Sequence, residues 1–339
     1  MSKGGRELPR LFGYLLKHWF DYLLGGTLII ASEGVTQITL ALLLKRMIDS
    51  SISGSYRLLL TSIGRYGLLI VVAGGLLPFA YRLSARAVEK ATQDWRQDFF
   101  DHVQTLPLSY FEKVHSGDTI SRLTNDISAS KQVLGDTLLT FCAQTVTAVV
   151  AARFLFLISW KFTLLTVVIG IAPLLFNRVA AKPLRRISVD VQSSMAELNS
   201  CLKDMVDGIG VSRAYVFTNR IVDNYRRVNV ESRSRGVHLV HWQSLTSVVN
   251  SFFGSANFLA IVALGSYMVV RQELTPGEVV AATQFSQVMI RPFKILGDFW
   301  SSLQQAQAAA SRVFSVLDEP QERMMSTPHT VETHAAICL

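Results

Sequence analysis

Long apolar runs separated by charged segments dominate the pattern of this chain. A helix needs about 20 mostly apolar residues to cross the roughly 30 Å of hydrocarbon in a bilayer. Runs of suitable composition lie at Trp19–Leu44, Tyr66–Tyr81, Thr137–Trp160, Phe162–Asn177 and Trp242–Val270. A sixth run, Val279–Ile290, is weak because it has only 12 residues before Arg291. The pattern predicts six membrane-spanning helices, the third and fourth of them joined by a tight hairpin.

Two of the segments between these runs are long and are themselves patterned as helices. About 55 residues separate the second run from the third, and about 65 separate the fourth from the fifth. Both segments are charged, yet apolar residues recur in them at helical spacing, as at Ile187, Val191 and Leu198. We therefore expect helices that continue beyond the spans and pair as two long helical hairpins.

Composition and charge place the protein in a membrane. Hydrophobic residues make up 50 % of the chain and charged residues 17 %, against about 25 % charged in an average soluble protein. Of the 33 Lys and Arg residues, 26 lie in segments that six spans place on one side, namely 1–18, 82–131, 178–235 and 291–339. Basic residues collect on cytoplasmic loops, so both termini are expected in the cytoplasm. The same distribution accounts for the net charge of +8 without a nucleic-acid partner.

The predicted fold class is an all-α membrane protein with six long transmembrane helices and two long intracellular helical hairpins. No motif for metal binding or catalysis stands out within it. The three cysteines form no CxxC pair, and His238 and His241 share a helix face without a third ligand. A phosphate-binding loop, G-x-x-x-x-G-K-S/T, requires the dipeptide Gly-Lys, which the sequence lacks. Leu317-Asp-Glu-Pro320 follows no apolar strand, so we expect no ATPase site, metal or bound cofactor in this chain.

Several motifs resemble those of ATP-binding-cassette (ABC) exporters. Leu106-Pro-Leu-Ser-Tyr-Phe-Glu-Lys113, followed by Ser116-Gly-Asp-Thr-Ile-Ser-Arg-Leu-Thr-Asn-Asp126, is similar to their first intracellular loop. Ala308-Ala-Ala-Ser-Arg-Val-Phe-Ser-Val-Leu-Asp-Glu-Pro320 is similar to the exit of their sixth span. Ser159-Trp-Lys-Phe-Thr163 and Arg291-Pro-Phe-Lys-Ile-Leu296 also fit, and the latter resembles the branch of bacterial lipid A and multidrug exporters. The resemblance covers roughly residues 8–320.

The resemblance implies a function and a set of partners. It implies a homodimer in the bacterial inner membrane that moves an amphipathic lipid or hydrophobic drug outward, alternating between inward- and outward-facing states. Closure of nucleotide-binding domains, which hold ATP and magnesium ions, would drive this cycle. Residues 1–18 would then form an amphipathic helix at the membrane surface, residues 19–317 the six-span domain, and residues 318–339 a short cytoplasmic tail.

The hairpins of such exporters couple the spans to the nucleotide-binding domain through short helices at their tips. The first is expected near Val114–Arg122, where Ser116 and Asp118 would cap the helix and Gly117 would permit a sharp turn. The second is expected near Tyr215–Tyr225, with an aromatic anchor and a basic contact. Without the resemblance, each would be an ordinary solvated hairpin. The expected coupling residues are Ser116, Gly117, Asp118, Arg122, Phe217 and Arg220.

Ionisable residues inside the spans are the candidates for substrate binding, since charge within a bilayer is costly. Arg291 and Lys294 match positions at which lipid A exporters bind the phosphates of their substrate. Other basic positions of that cavity are not basic here, which counts against lipid A itself. Glu33 could bind a cationic drug or make an interhelical hydrogen bond. Arg82 could supplement the basic pair or mark the membrane boundary.

The nucleotide-binding domain that the resemblance implies is not found after the sixth span. Gln321–Leu339 matches nothing expected there, which leaves three explanations open: a motor on a separate polypeptide, a shortened chain, or a shifted reading frame. A truncated, non-transporting fragment is therefore an alternative function. A second alternative is a secondary transporter driven by protons through Glu33, whose transport would follow the proton gradient.

Overall fold

The computed structural model describes residues 7–210 and 218–322, and within these ranges the chain is almost entirely helical, with no strand. The helices, in order, are α1 (Glu7–Leu16), α2 (Trp19–Ile52), α3 (Tyr56–Gln104), α4 (Leu108–Lys113), α5 (Ser116–Ser121), α6 (Ile127–Gln132), α7 (Leu138–Ile158), α8 (Trp160–Asp207), α9 (Thr218–Val270) and α10 (Pro276–Leu317). Short π-helical segments at Arg122–Asp126 and Val133–Thr137 join α5 to α6 and α6 to α7.

Five of the six predicted spans lie in described helices that are long and apolar enough to cross a membrane. These are α2, α3, the helical stretch Ser116–Ile158, α8 and the stretch Val222–Val270. The sixth prediction is confirmed as helix but not as an apolar span. Although α10 runs for 42 residues, Thr283, Gln284 and Gln287 interrupt its apolar stretch and lower its hydropathy.

Sharp reversals separate the long helices. Only Ser159, in extended conformation with φ −163°, stands between α7 and α8, which confirms the predicted tight hairpin. Gly54 and Gln272 adopt positive φ values of 67° and 62° in the turns that follow α2 and α9. Glycine takes this conformation without steric cost, whereas glutamine does so less readily.

The helices that contain the second and fourth apolar runs, α3 and α8, continue well beyond these runs. The α3 helix continues without interruption to Gln104. The α8 and α9 helices have 48 and 53 residues and pack along each other. At 1.5 Å per residue each is about 70–80 Å long, more than twice the thickness of a hydrocarbon layer of about 30 Å.

The chain divides into two compact units, each with its own core. Of the described residues, the first unit comprises those up to Gly34, Val71–Gln144 and those from Ile295 onward, and the second comprises those within Val35–Ile70 and Thr145–Lys294. In the first unit, α1 turns its apolar face towards the protein core: Leu11 and Leu15 are buried there together with Trp95 and Phe314. The rings of Trp95 and Phe314 stack with centroids 5.4 Å apart.

The core of the second unit forms where α2, α7, α9 and α10 meet. Phe154 and Phe285 stack with ring centroids 5.4 Å apart, beside the fully buried Ala281 and Ala282. Small residues allow close packing: a Cβ built on Gly265 would lie 2.5 Å from Val279 Cγ1. This packing holds the first part of α10 against the end of α9, beside the cavity described next.

Candidate functional site

A cavity of about 940 Å³ lies in the second unit between α8, α9 and α10. Its volume is at the upper end of the range of about 300–1,000 Å³ that is typical of ligand pockets. Neutral amides dominate its polar lining, and we call it the amide cavity. Among the described residues, five amides and one charged side chain line it: Asn177, Gln243, Asn250, Asn257, Gln287 and Lys294.

The helix period explains why one face of α9 is so polar. Gln243, Asn250 and Asn257 are spaced seven residues apart, which is close to two helical turns, so their side chains lie in one stripe. Hydroxyl-bearing residues such as Thr246 and Ser247 line the cavity beside that stripe. Each polar side chain on a membrane helix costs free energy when it faces lipid. A continuous polar stripe therefore indicates a face that lines a cavity.

Asn257 is the most constrained of these amides. Its side-chain nitrogen donates to Ser286 Oγ at 3.1 Å, and Ser286 in turn donates its only hydroxyl hydrogen to the carbonyl oxygen of Thr283 at 3.0 Å. Because Ser286 can only accept from Asn257, the amide nitrogen must face Ser286. The Oδ1 atom therefore points the other way. Asn257 is 2 % exposed, and this buried oxygen has no hydrogen-bond partner among the described residues.

A second pair of amides faces the same cavity. Asn177 Nδ2 donates to Asn250 Oδ1 at 3.2 Å, which links α8 to α9. This bond uses the amino group of Asn177 and the carbonyl group of Asn250, so the carbonyl group of Asn177 and the amino group of Asn250 remain. The remaining carbonyl oxygen, Asn177 Oδ1, is buried and unpaired within the described part of the chain. The pair thus ties α8 to α9 in the wall of the cavity.

The structure places the predicted substrate residues in different environments. Both Arg291 and Lys294 are exposed, but only Lys294 is among the residues that line the amide cavity; Arg291 lies one turn earlier on α10. In the first unit, Glu33 accepts a hydrogen bond from the Tyr81 hydroxyl at 3.1 Å, which is the interhelical contact that the sequence left open. Arg82 lies exposed beside Tyr81 on α3.

The segment Val114–Arg122 contains the short helix α5, but the capping of this helix differs from the prediction. Ser116, Gly117 and Asp118 form the first turn of α5, and His115 is the N-cap without a side-chain hydrogen bond. The sharp turn occurs before α5, at the extended residues Val114 and His115, so glycine is not what makes it. Ser116, Gly117 and Asp118 are exposed.

The remaining three predicted coupling residues are Arg122, Phe217 and Arg220. Arg122 is half-buried at the start of the π-helical segment that follows α5. For the second loop, Phe217 lies outside the described residues. Arg220 is exposed in the first turn of α9. An exposed basic side chain at a helix end is available for contact with another protein.

An ion pair joins the two motifs that carry the resemblance. Arg312 donates to both carboxylate oxygens of Asp126 at 2.9 and 2.6 Å, and so connects the end of the first loop motif to α10. The hydrogen bonds that Arg312 donates to Asp126 raise the pKa of Arg312 above its ordinary value. A bidentate pair of this kind fixes geometry as well as adding energy.

Further polar contacts fasten the segment after α10. Arg10 donates to both oxygens of Asp318 at 2.9 and 2.8 Å, and this hydrogen bond raises the pKa of Arg10. His102 bonds the carbonyl oxygen of Glu319 at 3.1 Å, and the backbone nitrogen of Glu322 donates to Thr105 at 2.8 Å. Asp318 therefore has a structural partner in α1.

Comparison with known proteins agrees with this arrangement. Residues 23–293 match the family described as ABC transporter transmembrane region. The chain is 27 % identical over 256 residues to a fatty acid ABC transporter ATP-binding/permease protein of Mycobacterium bovis, which covers 75 % of the chain and 41 % of that protein. It is 25 % identical over 260 residues to an ATP-dependent lipid A-core flippase of Pseudoalteromonas translucida, covering 76 % of the chain and 45 % of the flippase.

A third relative is the ATP-dependent lipid A-core flippase of Shewanella denitrificans, 28 % identical over 225 residues, or 66 % of the chain and 38 % of that protein. The chain thus spans less than half the length of the relatives it matches. The matching part lies over the helices that the structure describes.

Proposed function

Since the chain belongs to the family of ABC transporter transmembrane regions, we propose that it forms the translocation pathway of an ATP-driven exporter for an amphipathic lipid or hydrophobic drug. On this proposal the chain binds no nucleotide itself. ATP and magnesium ions are bound by a nucleotide-binding domain that the chain contacts. Two copies of the chain form the pathway in a bacterial inner membrane, surrounded by membrane lipids.

The observation that carries the proposal is the continuity of α8 and α9. Each helix joins an apolar stretch to a long charged stretch without interruption. A motor outside the membrane can move a site inside it only through a stiff connection, and two helices packed along each other provide one. Closure of the motor would then be transmitted to the amide cavity, which these two helices line.

The ends of the charged stretches supply the proposed contacts with the motor. Exposed residues of α5, among them Ser116, Gly117 and Asp118, would meet the nucleotide-binding domain at the first loop, and Arg220 at the second. Arg122 would support α5 from the adjoining π-helical segment, and Phe217 would contribute the aromatic anchor. The distribution of Lys and Arg supports cytoplasmic placement of these loops and of both termini.

A chimaera tests the proposal directly. The chain is joined after Glu322 to the part of a lipid A-core flippase that it does not match, and the product is reconstituted in liposomes containing a fluorescent phospholipid. The assay measures how much labelled lipid becomes accessible to a membrane-impermeant quencher when ATP is added. We expect ATP-dependent movement that falls at least tenfold in Arg220→Gln. Arg233→Gln, an exposed arginine further along α9, serves as the matched control.

Two results would contradict the proposal. Movement that follows an imposed proton gradient without ATP, and that disappears in Glu33→Gln, would establish a secondary transporter. Absence of movement under either driving force, from a chimaera that still hydrolyses ATP, would establish a membrane fragment that does not transport.

A further inference from the structure

One side of α8 changes from apolar to basic where its apolar run ends. Exposed apolar residues spaced three or four apart, and therefore on one face of the helix, precede the change. We call them the apolar seam: Leu164, Val168, Ile171 and Leu175. Exposed basic residues follow within a few positions. We call them the basic stripe: Arg178, Lys182, Arg185 and Arg186.

Helix geometry places the basic stripe on the same side of α8 as the apolar seam. Lys182 comes seven residues after Leu175, close to two full turns, and Arg186 follows four residues later. The residues of α8 that line the amide cavity, such as Pro173 and Asn177, lie on the other side of the helix. Among the described residues that line the cavity, none belongs to the basic stripe. A partner bound to the stripe is therefore separate from a substrate in the cavity.

The basic stripe lies at the depth of lipid phosphates. The α8 helix begins at Trp160, and at 1.5 Å per residue Arg178 lies about 27 Å and Arg186 about 39 Å further along its axis. A hydrocarbon layer of about 30 Å ends within this interval, and the headgroup layer follows it. When α8 crosses a bilayer, the apolar seam therefore meets acyl chains and the basic stripe meets headgroups.

The protein supplies no counter-charge at this level. Among the described residues, none forms an ion pair or a side-chain hydrogen bond with the basic stripe. Residues 160–189 of α8 include no Asp or Glu. The hydrogen bond between Asn177 and Asn250 places the neighbouring part of α9 alongside, and α9 has no acid between Glu231 and its end at Val270.

Basic residues on other helices do have carboxylate partners within the chain. Such ion pairs join Lys90 to Asp21, Lys131 to Glu89 and Arg312 to Asp126. Neighbouring cations without such partners repel one another, and an anion from outside the chain relieves this repulsion. A soluble acidic partner would match the charge alone, whereas a phospholipid matches both the charge and the apolar seam beside it.

We propose that the apolar seam and the basic stripe bind an anionic phospholipid that stays at the protein surface and is not transported. Its acyl chains lie along the seam. Lys182 and Arg186 bind its phosphate, with Arg178 and Arg185 beside them, since basic residues next to a membrane span attract acidic phospholipids. This binding requires that α8 spans a membrane and is independent of ATP-driven transport.

Quenching by a spin-labelled lipid tests the proposal. The full chain, with its native cysteines replaced by serine and Val179→Cys labelled with bimane, is placed in phosphatidylcholine nanodiscs. Val179 is 76 % exposed and lies where the apolar seam meets the basic stripe. Phosphatidylglycerol or phosphatidylcholine with a nitroxide on the same acyl carbon is titrated in, and bimane quenching reports lipid at this position. We expect about a tenfold preference for phosphatidylglycerol at low salt, reduced severalfold in about 0.5 M NaCl.

Two variants that lose the same charge assign the preference. Replacing all four residues of the basic stripe by glutamine should make phosphatidylglycerol and phosphatidylcholine quench alike. The control should keep the preference, because it removes four exposed charges from the distal part of α9: Arg220, Arg226, Arg227 and Arg233. If the stripe variant does not fold, the pair Lys182→Gln and Arg186→Gln replaces it and is expected to reduce the preference about threefold.

Equal quenching of the unmodified chain by the two lipids overturns the proposal, as does a preference that survives in the stripe variant. Weak quenching by both lipids would mean that a second copy of the chain covers this face, which also overturns lipid binding there. The measurement uses no ATP. A negative result therefore leaves the proposed transport function standing, and absence of ATP-driven movement leaves the lipid preference standing.

Discussion

Breaking the Asp126–Arg312 pair should destabilise the protein by an amount that depends on which partner is removed. The Asp126 side chain is 12 % exposed and that of Arg312 is 55 % exposed. Arg312→Gln leaves a largely buried carboxylate without its bidentate donor, which costs about 2 kcal/mol. Asp126→Asn retains an acceptor and leaves the exposed guanidinium in contact with water, so its cost is about 1 kcal/mol.

Thermal unfolding of the purified chain in detergent measures this difference. With an unfolding entropy of about 2.1 cal/mol/K per residue, a loss of about 2 kcal/mol lowers Tm by about 3 °C. The double variant should be more stable than the sum of the single effects indicates, because the carboxylate that Arg312→Gln strands is then absent. Arg226→Gln, at an exposed position on α9, is the control.

Two results would contradict this expectation: an Arg312→Gln variant that loses no more stability than Asp126→Asn, or single effects that simply add in the double variant. Either result would mean that the carboxylate is well solvated and that the pair contributes little to joining the loop motif to α10. The same samples would show whether the variants remain monodisperse, which separates a local loss of stability from misfolding.

Two further predictions concern the start of α10. In Gly277→Ala the new Cβ would lie 2.3 Å from the carbonyl oxygen of Lys45, so we expect the free energy of unfolding to fall by about 1–3 kcal/mol. Gly64→Ala is the control, because a Cβ at Gly64 would meet open space. Equal Tm values for the two variants in thermal unfolding would contradict this prediction. Burial raises the pKa of Glu278, but hydrogen bonds from Lys45 and Thr275 outweigh it and lower the pKa overall. The ionised form is therefore stabilising above the ordinary pKa of 4.5, and this stabilisation is lost as pH falls through the lowered value. The Tm difference between Glu278→Gln and the unmodified chain should shrink below pH 4.5, and a difference that is constant with pH would disprove the coupling.

The sequence predicted the helices well because their signals are local. Apolar runs and helical spacing are properties of neighbouring residues, and they located five spans and the continuous extensions of α3, α8 and α9. The weakness of the sixth run was also visible, since polar residues of α10 interrupt it. The structure shows why some of them are tolerated: Ser286 is buried and bonded to Asn257 of the neighbouring helix.

The site was less predictable because it depends on pairings between distant residues. Arg291 and Lys294 stood out as charges in a span, but neutral amides cost less in a membrane and attracted no attention. The seven-residue spacing of Gln243, Asn250 and Asn257 is a signal that could have found the polar face of α9. Nothing in the sequence shows that Ser286 fixes one of those amides, because the bond joins residues on two helices.

The prediction of the helix cap before α5 was wrong for a related reason. Ser116 and Asp118 are residue types that commonly cap helices, yet the helix begins one residue earlier than their chemistry requires, after His115. Propensity describes what a residue can do at a position, and the path of the chain through the preceding turn decides which residue occupies that position.

The hydrogen bonds that hold the segment after α10 determine how a torque would be transmitted within the first unit. A helix that is held at one point can spin about its own axis, whereas one held on several sides cannot. Arg10 holds Asp318 from α1, while His102 and Thr105 hold Glu319 and Glu322 at the end of α3. A torque applied to the chain beyond Glu322 would therefore act on α1, α3 and α10 together. It would not merely rotate one helix about its own axis.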